Sequence, residues 1–148
     1  PIVPLSKTIG MINVDHAGAG NGRLTVGVTE LERSTAQRTG ELPGLADKLD
    51  VFGYFPGGDH VPFKEAGVPT VTVVSGGAHP HFHQPSDTAD TVNPEILQSV
   101  ARYVLALTWQ LANQPQPTKC RFRRCGRGRN VELLRLWNVV EDRGLNIH

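Results

Sequence analysis

The stretch at residues 70–74, Thr-Val-Thr-Val-Val, constrains the fold most strongly. All five side chains branch at Cβ, which costs them rotamer freedom in a helix and suits them to a pleated sheet. With Pro69 before it and Gly76-Gly77 after it, the run reads as a central strand covered on both faces. A central strand needs neighbours. Met11–Asp15 is a short apolar run that closes on an acid, and residues 24–28 alternate as a half-buried strand does. Asn21-Gly22 between them is a hairpin turn signal, so these two segments are expected to pair antiparallel. Residues 51–55 add a further candidate strand.

Helical segments separate the strands. Thr29-x-x-Glu32 resembles a capping box for a helix over 31–38, broken by Gly40 and Pro43. Residues 45–49 read as another short helix. Asp59 is placed to cap a helix over 60–66, with Gly67 as its left-handed terminator. Asn93 and Pro94 open the clearest helix, which should stop near Gln114 because Pro115 and Pro117 follow. Ile96, Val100, Tyr103, Val104, Leu107 and Leu111 form one apolar stripe along it, and Tyr103 and Trp109 are read as packing residues. The expected fold class is α/β, a mixed β-sheet sandwiched by helices.

At 148 residues and 39% hydrophobic content, the chain can bury one ordinary core. It contains no apolar run of membrane-spanning length and no signal peptide at its start. The net charge of +1 hides an uneven split. Residues 1–118 carry 7 Lys/Arg against 11 Asp/Glu, and residues 119–148 carry 8 against 3. Residues 119–129 hold six positive charges and no acid, which predicts a solvated, disordered arm. Residues 131–141 follow as an amphipathic helix candidate through Leu133, Leu136, Trp137 and Val140. Cys120 and Cys125 are compatible with a bridge, weak metal binding or no pairing, so they assign no compartment.

The chemistry concentrates in residues 76–93, Gly-Gly-Ala-His-Pro-His-Phe-His-Gln-Pro-Ser-Asp-Thr-Ala-Asp-Thr-Val-Asn. His79, His81 and His83 alternate, and Asp87 and Asp90 follow within seven residues. Pro80 and Pro85 exclude a regular internal strand, leaving a histidine-dense loop beside acids. Such a loop is either a polar surface turn or part of a metal site.

The order of the residues favours the second reading. Phe82-His-Gln-Pro-Ser-Asp-Thr-Ala-Asp90 resembles the last metal-ligand motif of the zinc aminopeptidase family, which also holds glutamate carboxypeptidases and glutaminyl cyclases. Pro4-Leu5-x-Lys7-Thr8 with Met11-Ile-Asn-Val-Asp15 resembles the family strand that delivers an aspartate ligand. Gly58-Asp-His-Val-Pro-Phe63 resembles its Ser-Asp-His-x-Pro-Phe segment, and Gly67-Val68-Pro69 follows at the family's spacing. Four motifs stand in register over residues 1–113.

The resemblance implies a partial zinc-peptidase fold over residues 1–114, the C-terminal half of a catalytic domain, and a tail over 115–148 with no family character. It implies two zinc ions in the complete domain, a peptide substrate, and Asp15 and His83 as metal ligands. His16, Asp59, His60, His79, His81, Phe82 and Asp87 would support those ligands or line the substrate pocket, with Asp87 favoured as a supporting group. Complete relatives are often secreted or periplasmic. Two positions depart from the family pattern: His16 stands where methionine is usual, and Phe82 where many members carry a tyrosine whose hydroxyl steadies an oxyanion. His16 is weighed as an extra ligand against a supporting role, with the latter preferred. The family's upstream His-x-Asp motif and Glu-Glu pair do not occur in these 148 residues. One histidine, the bridging aspartate, one carboxylate ligand and the general base would therefore come from an upstream half, and the 148 residues alone are expected to be inactive.

Three functions follow. The first is an aminopeptidase, cleaving amino-terminal residues by metal-activated water. The second is a glutaminyl cyclase or carboxypeptidase on the same frame. The third is a non-catalytic fragment whose basic arm grips nucleic acid or acidic surfaces. No aromatic platform or folded nucleic-acid motif accompanies that arm, so nucleic acid is not an expected partner.

Overall fold

The computed structural model describes residues 2–31 and 33–114. The basic arm, the second amphipathic segment, Cys120, Cys125 and the capping-box Glu32 lie outside the described residues. The described elements are β1 (Met11–Asp15), β2 (Leu24–Thr29), α1 (Arg33–Gly40), β3 (Leu49–Phe52), α2 (Val61–Glu65), β4 (Thr70–Ser75) and α3 (Pro94–Asn113). Two single 3₁₀ turns, Leu5–Lys7 and Ala89–Thr91, complete the set.

The strands form one four-stranded mixed sheet in the order β1-β4-β2-β3. β4 lies inside it, parallel to β1 and antiparallel to β2, and every one of its residues is buried. β3 runs parallel to β2 after the α1 crossover. Side chains on a strand alternate in direction, so the sheet has two chemically distinct faces. Val71 and Val73 join Leu24, Val26 and Val28 on the apolar face, where Ala36 of α1 and Val100, Tyr103 and Leu107 of α3 close the core. The opposite face carries Thr70, Thr72 and Thr25, with Asn13 and Asp15 in register on β1. A loop over 53–60 reaches that face: any Cβ on Gly27 would meet Phe55 at 3.0 Å and the Gly53 carbonyl at 3.1 Å. α1 packs on α3, β2 and β3, and α3 packs on β4.

The structure corrects several sequence expectations. β1 and β2 do not form a hairpin, because β4 lies between them. Neighbouring strands sit about 4.8 Å apart, and the connection 16–23 is long enough to step over one strand. Its turn residues pair with the end of β4 instead: the Asn21 amide donates to the Gly76 carbonyl at 2.7 Å, and the Gly76 amide to the Arg23 carbonyl at 2.8 Å. Gly20 makes the crossing possible. Its φ is +99°, and an added Cβ would lie 2.0 Å from the Gly76 carbonyl oxygen.

The helix expected over 31–38 runs instead from Arg33 to Gly40, since Thr29 belongs to β2 and bonds Thr70 across the sheet. Residues 45–49 are not a helix: Leu49 opens β3, which ends at Phe52 rather than continuing to residue 55. Asp59 does not cap α2. Position 60 is the N-cap, with no side-chain cap bond, and the Val61 amide already donates to the Gly58 carbonyl at 3.3 Å. Pro62, next in line, has no amide to offer a cap. Trp109 is 50% exposed, so it is not a core residue.

α3 begins as its sequence demands. The Asn93 side chain accepts from the Glu95 and Ile96 amides, at 2.9 and 3.3 Å. Its Tyr103 is fully buried and donates its hydroxyl to the Ala36 carbonyl at 3.0 Å, tying α3 to α1.

Candidate metal-site edge

Parallel pairing of β1 and β4 puts both carboxyl ends on one edge of the sheet, where α/β folds build their sites. Asp15 is the last residue of β1 and lies opposite Val74. The histidine loop leaves β4 one residue further on. Asp15, His16, His79, His81, Phe82, His83 and Asp87 line one cavity of about 360 Å³. Residues 17–19 and Thr91-Val92 close its sides, held together by the Asn93 amide donating to the Gly18 carbonyl at 2.7 Å.

One hydrogen bond holds the carboxylate side of the cavity. The Asn13 side-chain amide donates to Asp15 Oδ2 at 2.7 Å, and Asn13 is 6% exposed. Sequence reasoning passed over Asn13. The available signal was its i, i+2 relation to Asp15, which puts both side chains on one face of a strand. Behind them lies His60, 1% exposed. Its Nε2–H donates to the Phe55 carbonyl at 2.8 Å, and its Nδ1 is buried without a partner. Gly58, at φ +102°, separates this ring from the acid: a Cβ there would lie 3.2 Å from both His60 Nδ1 and Asp15 Oδ2. His60 thus sits behind Asp15 and outside the cavity lining, while Asp59 is exposed and also outside it.

On the imidazole side, His79 Nε2–H donates to the carbonyl of Ser75 at 2.9 Å, anchoring the loop to the end of β4. His81 Nδ1 and the Ser86 hydroxyl are 3.0 Å apart, which closes the turn that carries His83. His83 adopts φ +56°, and its ring stacks on Phe82 with centroids 3.8 Å apart. Asp87 is exposed at the rim, and Asp90 lies in the following 3₁₀ turn outside the cavity lining.

The donor types, a carboxylate and imidazoles, are those zinc takes. Their number falls short: no cluster of three or more His, Cys, Asp or Glu side chains that could hold an ion occurs among the described residues. None of the described glutamates lines the cavity. Among the described residues the edge thus offers carboxylates and imidazoles, and no glutamate.

This sheet, with two helices on its apolar face and an acid-and-imidazole edge, is similar in fold to part of a solved zinc aminopeptidase. The solved zinc aminopeptidase of Bacillus subtilis superposes with a TM-score of 0.61 at 25% identity, over 72% of this chain and 29% of that one. The aminopeptidase of Aneurinibacillus sp. strain AM-1 gives 0.58 at 23% identity, covering 72% and 26%. The LapA aminopeptidase of Legionella pneumophila gives 0.57 at 17%, covering 73% and 32%. The family model of peptidase family M28 matches residues 2–108, and the chain belongs to that family. It spans less than a third of the length of each of these three structures. No match was found among curated proteins.

Proposed function

We propose that this chain supplies part of the active site of a zinc aminopeptidase, with Asp15 and His83 as ligands of two different ions in the complete domain. One observation carries the reading: Asp15 from the end of β1 and His83 from beyond β4, 68 positions apart in sequence, line the same cavity. Family membership makes the frame that of a peptidase. The three solved neighbours are named as aminopeptidases, which favours that activity over cyclase or carboxypeptidase chemistry.

Bound zinc supplies Lewis acidity, acidifying water and polarising the scissile carbonyl. The chain's own residues do the rest of what this half can do. Asp15 and His83 offer an oxygen and a nitrogen to the ions. The Asn13 amide bonded to Oδ2 steadies the Asp15 carboxylate, which keeps lone pairs for a ligand bond. The remaining ligands and the glutamate base come from polypeptide carrying the His-x-Asp and Glu-Glu motifs. Phe82 has no hydroxyl, so it donates nothing to a developing oxyanion.

The test is hydrolysis of leucine p-nitroanilide with added zinc. Pro1–His148 alone should show no chelator-sensitive turnover, because loss of the general base alone costs about 10²–10⁴ in rate. Supplying the two missing motifs, in cis or as a second fragment, should restore turnover, and His83→Ala in that complete domain should remove it. Chelator-sensitive turnover by the 148-residue chain alone would overturn the assignment.

A further inference from the structure

Two aromatic side chains beside the proposed ligands touch each other. His16 follows Asp15 directly, and Phe82 precedes His83. They come from different loops, yet their ring centroids are 4.3 Å apart with planes at 67°. This edge-to-face geometry is a favoured one for aromatic rings. The contact belongs to a longer row. His79, bonded to the end of β4, meets His16 at 4.7 Å, and Phe82 stacks on His83 at 3.8 Å with planes 24° apart.

The row matters because of what His83 lacks. Metal-binding histidines usually donate their second ring N–H to a carbonyl or carboxylate, which fixes the ring's orientation. Among the described residues the His83 ring makes no hydrogen bond; its ring contact is the stack on Phe82. Phe82 is itself 44% exposed and neighbours His83 in a loop, so that stack alone would let the two rings swing together. His16 is the contact that comes from elsewhere. It stands directly after β1 with φ +50°, its carbonyl accepting from the Ser75 amide at 3.3 Å. Its backbone is therefore tied to the sheet edge, and its ring reaches from there to His79 and Phe82 of the histidine loop.

We propose that His16 and Phe82 are a positioning pair that holds the His83 imidazole, the stacked rings replacing the usual outer hydrogen bond. The inference rests on the reading of His83 as a zinc-binding residue. It also gives His16 a function that needs its ring and neither ring nitrogen, which separates it from a ligand role.

The experiment uses the 148-residue protein and the variants His16→Ala, His16→Phe, Phe82→Leu and His83→Ala, with far-UV circular dichroism confirming the fold. The first readout needs no metal. Stacking on Phe82 should displace the His83 ring-proton resonances upfield. Phe82→Leu should return them to solution values, His16→Ala should move them part of the way, and His16→Phe should leave them displaced. The second readout is Co²⁺ affinity, from its visible absorption, of the domain completed with the His-x-Asp and Glu-Glu motifs and carrying the same substitutions. Loss of an outer-shell support typically weakens metal affinity about 10-fold or more. That loss is expected for His16→Ala and Phe82→Leu, with His16→Phe within about 2-fold of the parent on the same scale. His16→Phe as weak as His16→Ala would overturn the proposal, since a nitrogen would then be what matters. Unchanged His83 shifts in both His16→Ala and Phe82→Leu would also overturn it. If His83→Ala leaves Co²⁺ affinity untouched, the zinc reading fails, while the ring shifts still decide whether the pair positions His83. Should Phe82→Leu not fold, Phe82→Tyr keeps the ring and should retain the shifts; their loss there counts against the stack.

Discussion

Tyr103 is the side chain whose removal should be felt most clearly in the fold, and two substitutions separate its two contributions. It is fully buried among Leu24, Val26, Val100 and Leu107, and its hydroxyl donates to the Ala36 carbonyl at 3.0 Å. Tyr103→Phe keeps the ring and deletes the bond between α3 and α1. A net hydrogen bond contributes about 0.5–1.5 kcal/mol, and a carbonyl left without that partner adds to the loss, so a cost of about 1–2 kcal/mol is expected. For a folded unit of this size, that lowers Tm by about 4–8 °C. Tyr103→Ala also empties the ring's volume, at about 3–5 kcal/mol, a large share of a typical total of 5–15 kcal/mol. Urea melts at pH 7 followed by circular dichroism measure both. The pH dependence supplies a second check. Burial pushes the Tyr103 phenol well above its ordinary value of 10.0. The folded state then keeps the proton after the unfolded chain has lost it. The resulting stability is fully present below pH 10 and falls as pH rises beyond it, by about 1.4 kcal/mol per unit. The gap between parent and Tyr103→Phe should therefore shrink from pH 9 to pH 11. A gap below about 0.3 kcal/mol at pH 7, where a lost buried bond should show, or one that stays constant through pH 11, would refute the reasoning.

Other substitutions probe other links. Gly20→Ala places a Cβ against the Gly76 backbone at φ +99° and should cost at least about 2 kcal/mol in a urea melt, whereas Gly22→Ala, at φ +80° in open space, should cost about 1 kcal/mol. Equal costs would show that the crossing over β4 is not tight there. Asn93→Ala removes the cap that serves the Glu95 and Ile96 amides and should cost about 1 kcal/mol, with Asn93→Asp close to the parent. Asn13→Leu in the completed domain deletes the donor to Asp15 Oδ2 and should weaken Co²⁺ binding by about 10-fold; an unchanged affinity would remove Asn13 from the account.

The sequence shows some of this fold directly and hides the rest for physical reasons. The β-branched run at residues 70–74 is central because nothing in it suits an exposed face, and it is buried throughout. Asn93-Pro94 marks the start of α3 by chemistry that acts within three residues. What failed was pairing. Asn21-Gly22 is a local turn signal, but the neighbour of β2 was set by β4, some fifty residues away, through packing no local pattern encodes. At the site, motif order pointed to Asp15 and His83 without saying how either is held. The Asn13 bond could have been read from the i, i+2 spacing on β1. The contact between His16 and Phe82 could not, because it depends on two loops meeting at the sheet edge.

The central claim is that Asp15 and His83 present metal ligands to one cavity. Zinc-edge anomalous scattering from crystals of the domain completed with the His-x-Asp and Glu-Glu motifs, grown with zinc, tests it most directly. The account predicts density inside the cavity within about 2.0–2.2 Å of an Asp15 oxygen or a His83 nitrogen. Zinc bound only elsewhere, at His60 or the cysteines, with that cavity empty at saturating metal, would contradict it.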